Sequence, residues 1–274
     1  MSDVIDRFAA MSADQLNEFF CTSDVAEITD VIRQASDDEL RGLIGLEHFY
    51  DQAVGAILHR FAEFAHTERL AAIKGAVLFR LARSKRVVEQ HTACFAGGEV
   101  HLDDAASPDV TISADVVDFV RLVTGEANAA LLYLAERLRI EGDEQLALAV
   151  GTVFTLPGTD QPAVDPTTLD PEDVATAVAA SSGKHMRAVM EGGFRPIVLE
   201  EVFRRFPDFI DREKAGKLDL CVGFRVGGRT DGEADRYTVH VRDGVCTIET
   251  EPPQGQQRDA TISLDGADFL RLAT

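Results

Sequence analysis

Catalytic motifs, paired cysteines, long apolar runs and basic residues are all scarce in this chain, and each scarcity removes a class of function. No Gly-x-Ser-x-Gly elbow occurs, and Ser181-Ser182-Gly183-Lys184 lacks both the preceding glycine and the preceding strand of a phosphate-binding loop. No motif brings Ser, His and Asp together, so the sequence predicts a protein that is not an enzyme and has no cofactor. Cys21, Cys94, Cys221 and Cys246 form no Cys-x-x-Cys pair, which fits reduced thiols better than a disulfide frame or a zinc knot. No run of eighteen apolar residues exists and the start, MSDVIDRFAAMSADQ, has no apolar signal core, so a cytoplasmic protein without integral membrane association is expected. Lys and Arg number 27 against 47 acids, a net charge of −20 that repels nucleic acid and anionic membrane surfaces.

What is present is a repeat. Residues 109–124 read DVTISADVVDFVRLVT and residues 259–274 read DATISLDGADFLRLAT. Ten of these sixteen positions are identical, where unrelated segments would share about one. The offset of 150 residues is a domain length, so the chain reads as two copies of one domain. The first continues past Thr124 through GEANAALLYLAERLRIEGDEQLALAVGTVF, and the sequence in hand gives the second no such continuation, so the second copy is expected to be incomplete and its open strand edge covered. Residues 1–156 are assigned to the first domain, 157–170, rich in proline, to a linker, and 171–274 to the second domain.

Within each copy the hydrophobic period changes from helix to strand. Ser12-Ala13-Asp14-Gln15 and Ser36-Asp37-Asp38-Glu39 have the form of capping boxes, and Tyr50 to Ile73 places Val54, Ile57, Leu58, Phe61 and Phe64 at helical spacing. From Ala76 the period is two, and Gly97-Gly98 predicts a hairpin that sets Phe95 opposite Val100 and Ala93 opposite Leu102, with Thr92, Cys94, Glu99 and His101 on a wet face. Asp109 to Ser113 predicts a strand leading into a helix that stops at Gly125. Further elements follow at 128–137 (helix), 138–141 (strand) and 143–154 (helix).

In the second copy Asp170-Pro171-Glu172-Asp173 opens a helix, and Phe203-x-x-Phe206 echoes Phe61-x-x-Phe64. Leu218 to Val226 alternates as a half-buried strand. Asp243-Gly244 pairs Val241 with Cys246 and Val239 with Ile248.

The phrase D-[VA]-T-I-S-x-x-x-x-D-F-x-R-L-x-T, followed by Tyr133 to Asp143 and Leu146 to Ala149, resembles the sterol carrier protein type 2 (sterol-binding domain) family. In the second copy Val202 to Pro207, Gly232 to Gly244 and Asp259 to Thr274 carry the resemblance. It implies an α+β fold, with a mostly antiparallel sheet of about five strands and helices on one face. An apolar tunnel between the layers would hold a sterol, fatty acid or acyl-CoA. One departure is Glu136, where the family usually has glycine.

The lipid-facing candidates are Phe119, Leu122, Leu131, Leu134, Leu148 and Phe154 in the first copy, and Phe206, Phe209, Val222, Phe224, Val239 and Phe269 in the second; each is also a type that ordinary cores use. His59, Glu63 and His66 stand at metal-binding helical spacing, but nothing supplies further ligands, so a solvated stripe and no metal is expected. Arg121 and Arg271 are expected to pair with Asp118 and Asp268 at i, i+3, the alternative being contact with an acidic ligand head group. The functional expectation is a non-catalytic lipid carrier. The alternative is a structural or interaction module with closed tunnels, self-associating or serving a lipid-metabolising enzyme.

Overall fold

The computed structural model describes residues 3–83, 88–153, 169–253 and 255–274, in two compact units that divide at Asp165 and Pro166. Both are α+β.

The first unit opens with four helices: α1 (Asp3–Ala9), α2 (Ala13–Thr22), α3 (Val25–Gln34) and α4 (Asp37–Ile44). Ser12 and Ser36 close the capping boxes with Gln15 and Glu39, and Asp24 caps α3. Helix α5 (Glu47–His59) buries Phe49, Tyr50, Ala53, Val54, Ile57 and Leu58. The long helix expected from Tyr50 to Ile73 breaks at Arg60, whose guanidinium donates to the carbonyls of Phe20 and Ser23 at 2.7 and 2.9 Å. A 3-10 turn (Phe61–Phe64) and α6 (Thr67–Ala71) take over, so the apolar face survives the break while the helix does not.

The sheet has the order β3-β2-β1-β4-β5, built from β1 (Gly75–Ala82), β2 (Val88–Ala96), β3 (Glu99–Leu102), β4 (Val110–Asp115) and β5 (Leu138–Gly142). Strands β1 and β4 are parallel and the other neighbours antiparallel. The Gly97-Gly98 hairpin has the expected register, Phe95 with Val100 and Ala93 with Leu102, on glycines at φ 63° and 87°. Strand β4 runs on to Asp115, which caps α7 (Val116–Val123) through the Val117 N–H. Helices α8 (Ala129–Leu134), capped by Asn128, and α9 (Glu144–Val153) complete the unit.

The second unit comprises α10 (Pro171–Ala180), α11 (Gly183–Glu191), α12 (Arg195–Arg205), a 3-10 turn (Phe206–Phe209) and α13 (Arg212–Ala215). Its four-stranded sheet, order β8-β7-β6-β9, consists of β6 (Asp219–Gly227), β7 (Asp235–Arg242), β8 (Val245–Thr250) and β9 (Ala260–Asp265), followed by α14 (Gly266–Ala273). Strand for strand this is the order of β3, β2, β1 and β4, with β6 and β9 again parallel. Asp170 caps α10 with Pro171 in its first turn, and the Asp243-Gly244 hairpin pairs Val241 with Cys246 and Val239 with Ile248.

Three local expectations are corrected. The two 3-10 turns match Phe61-x-x-Phe64 with Phe206-x-x-Phe209, not with Phe203-x-x-Phe206, so Phe203 stands where the first unit has Leu58. The face opposite the helices is not wet throughout. Thr92 is 3% exposed because the loop after β3 folds over it, with Asp104 accepting from its N–H and its carbonyl accepting from Asp103; Thr238 is likewise buried, beside Gln256 and Arg258. Asp118 does not pair with Arg121: it is buried and pairs with Arg137, while Arg121 reaches Asp37. Burial raises the Asp118 carboxyl pKa, against the opposing pull of Arg137. Glu136 adopts φ 58°, so the junction between α8 and β5 has the left-handed backbone that glycine takes at least cost.

Candidate functional site

Alternation along β1 and β4 puts Val77, Phe79, Leu81, Val110, Ile112 and Ala114 on one face, all buried, and α7 lies against it. Phe79 is the centre of an aromatic chain: its ring centroid is 5.8 Å from Phe61 and 5.3 Å from Phe119, and Phe61 continues to Phe95 at 5.6 Å. Of the candidates named from the sequence, Phe119, Leu122 and Leu134 are buried, while Leu131 and Leu148 are half-buried on α8 and α9. Phe154 lies outside the described residues.

In the second unit Phe224 and Phe269 are buried, Phe206 is half-buried, and the three join Phe203 and Tyr237 in one cluster. Phe203 stacks on Tyr237 at 3.7 Å between centroids and on Phe269 at 5.1 Å. Val239 is buried on the same face and Val222 half-buried. Phe209 is 66% exposed, outside this cluster. A cavity of about 410 Å³ lies elsewhere in this unit and is polar, lined by Arg225, Gly228, Glu233, Ser263 and Asp265 among others.

Pattern reading missed the polar groups inside the layers. Tyr50 is 4% exposed and its hydroxyl has no hydrogen-bond partner; the Nε2 of His91 is also buried and without one. Burial, with the nearby Glu89 charge adding and Arg83 opposing, raises the Tyr50 pKa well above its ordinary value. The second unit places Arg195 at the corresponding point of its helix. That arginine is 5% exposed and donates to Asp235 at 2.6 Å and to the carbonyls of Met190, Val226 and Gly227 at 2.6, 2.7 and 2.9 Å. The signal was in the alternation: extending Phe95 and Ala93 backwards in steps of two gives His91 and Glu89 as inward residues of β2.

His59, Glu63 and His66 do not share one helix. His59 Nδ1 lies 2.7 Å from the Gly55 carbonyl, Glu63 pairs with Arg60, and His66 Nδ1 is buried without a partner. Among the described residues no group of three or more His, Cys, Asp or Glu is placed to hold a metal, and no helix is long and apolar enough to cross a membrane.

Several solved structures are similar to parts of the chain. The sterol carrier protein domain 2 of Helicoverpa armigera is 19% identical, covering 36% of this chain and 81% of its own, with a TM-score of 0.31. Sterol carrier protein 2 of Yarrowia lipolytica, in its apo form, is 18% identical over 38% and 89%, with a TM-score of 0.32. The sterol carrier protein 2 like 2 of Aedes aegypti is 22% identical over 35% and 93%, with a TM-score of 0.28. No curated protein matches the chain. Residues 55–155, from the middle of α5 to just past α9, match the SCP-2 sterol transfer family and constitute a domain of that type.

Proposed function

We propose that the chain is a non-catalytic lipid-binding protein of the cytoplasm that holds a fatty acyl, acyl-CoA or sterol-like molecule between sheet and helices. In this reading residues 1–156 and 171–274 are tandem sterol-carrier-type domains joined by 157–170. The observation that carries it is the family match at 55–155, which falls on the unit whose inner sheet face and α7 enclose the Phe61–Phe79–Phe119 chain. Burial of apolar surface at about 25 cal/mol per Å² is enough to hold a long acyl chain without charged contacts.

Native mass spectrometry of the purified protein, followed by extraction and identification of what copurifies, tests it. One lipid per chain, lost in Phe119→Asp, is the expected result. A protein that is empty and takes up neither palmitate, palmitoyl-CoA nor cholesterol overturns it. For the second unit a structural or interaction role is the second reading, favoured by Phe203 stacked on Tyr237, which fills the interior with the protein's own rings.

A further inference from the structure

The three buried side-chain atoms without a hydrogen-bond partner among the described residues include Tyr50 Oη and His91 Nε2. Buried polar atoms are ordinarily satisfied, and one left bare points to a missing partner. Tyr50 packs where β1 ends, and His91 lies on the adjoining strand β2, opposite Phe79. Arg83, next after β1, lies over the Tyr50 ring at 5.1 Å from its centroid, and Glu89 on β2 is close enough to act on the Tyr50 hydroxyl. His91 follows Glu89 on the same face, roughly 7 Å along the strand. Strand β3 pairs only with residues 93–96, so this stretch of β2 has β1 alone beside it. His91 sits opposite Phe79 in the register, and Phe79 is the centre of the aromatic chain, so polar atoms and apolar cluster meet there.

In the second unit the same three positions hold groups that pair or pack with one another and with their own unit. By strand register and the paired 3-10 turns, Arg195 answers to Tyr50, Asp235 to Glu89 and Tyr237 to His91. Arg195 makes four hydrogen bonds, to Asp235 and three carbonyls, and Tyr237 is stacked on Phe203. Arg195 thus finds its partners inside the unit, and the Tyr237 ring is packed against the protein's own aromatic cluster.

We infer that Tyr50 and His91 form the head-group site of the first unit, for an apolar molecule that ends in a hydroxyl, and that Arg195 and Tyr237 close the second unit at the same place. The inference rests on the lipid-binding reading and adds the ligand's polar end. A hydroxyl oxygen accepts from the Tyr50 O–H and donates to the His91 Nε2, satisfying both with one group. A carboxylate can only accept, and would stand beside Glu89. The apolar body then runs along Phe61, Phe79 and Phe119.

The test is native mass spectrometric titration of the delipidated full chain with 1-dodecanol, dodecyl methyl ether and dodecanoate. One 1-dodecanol should bind per chain, about tenfold more tightly than the ether. Tyr50→Phe and His91→Phe should each bring the alcohol down to the ether's affinity and leave the ether unchanged. Thermal melts check that both variants fold. Equal affinity for alcohol and ether, equal loss of both in the variants, two alcohols per chain, or preference for dodecanoate would each overturn the head-group site while leaving the carrier reading standing. Failure of all three probes to bind overturns both.

Discussion

Arg121 on α7 donates from Nε to Asp37 at 2.7 Å and from Nη2 to the Ala35 carbonyl, also at 2.7 Å, so one guanidinium joins the end of α3, the start of α4 and α7. The second unit keeps the arginine and loses the acid. Gly183, the first residue of α11, stands where Asp37 stands in α4, and a Cβ placed on it would lie 3.4 Å from Arg271 Nη2.

Gly183→Asp should therefore stabilise the second unit by about 0.5–1 kcal/mol, through an ion pair and an acid in a helix's first turn. A rise in the urea midpoint that shrinks in 1 M NaCl is the expected result. A lower midpoint would show that the space beside Arg271 cannot take a carboxylate.

Arg195→Met should destabilise the protein by about 3–5 kcal/mol, because three carbonyls lose a donor in a buried place and Asp235 is left with Arg229 alone. Denaturant unfolding followed by circular dichroism measures this. Arg204→Met, on an exposed turn of the same helix, serves as the comparison and should cost under about 1 kcal/mol.

Glu136→Gly should raise stability by about 0.5–1 kcal/mol, since φ 58° costs a side-chain-bearing residue more than glycine. The thermal midpoint reports it, with Glu136→Ala as the control that keeps the strain and should gain nothing.

All three tyrosines of the chain have raised pKa values. Burial is the first cause in each, with Tyr133 and Tyr237 pushed up to about 12 and Tyr50 shifted in the same direction. A group whose folded pKa lies above its unfolded value contributes full stability below the unfolded pKa and loses it as pH rises through the folded one. Stability should thus be undiminished by these groups up to about pH 10 and fall between about 10 and 12. Absorbance at 295 nm should show almost no tyrosinate in the native protein at pH 10.5 and substantial tyrosinate in 8 M urea. With no tryptophan in the chain the signal is clean.

The parts legible in the sequence were those fixed locally. Gly97-Gly98 and Asp243-Gly244 determine their hairpins because the turn needs positive φ, and Ser12, Ser36, Asp115 and Asp170 cap helices with their own oxygens. What was illegible depended on distant partners. Asp118 had an arginine at helical spacing, yet its partner is Arg137, past α8. The Phe-x-x-Phe echo was read one helical turn out of phase, because the offset is 145 at Phe61 and Phe206 and only reaches 150 after longer loops in the second copy. Tyr50 and Arg195 share no chemistry, so only superposed strand registers reveal that they occupy one place.

The likeness of the two units extends to their helix caps. Asp24 and Ser36 frame α3 and α4 at the spacing at which Asp170 and Ser182 frame α10 and α11, well upstream of the sixteen-residue phrase. The correspondence between the two units therefore takes in a pair of helices as well as the sheet. The two interiors nonetheless differ, the first unit having bare polar atoms and the second an arginine held by four hydrogen bonds.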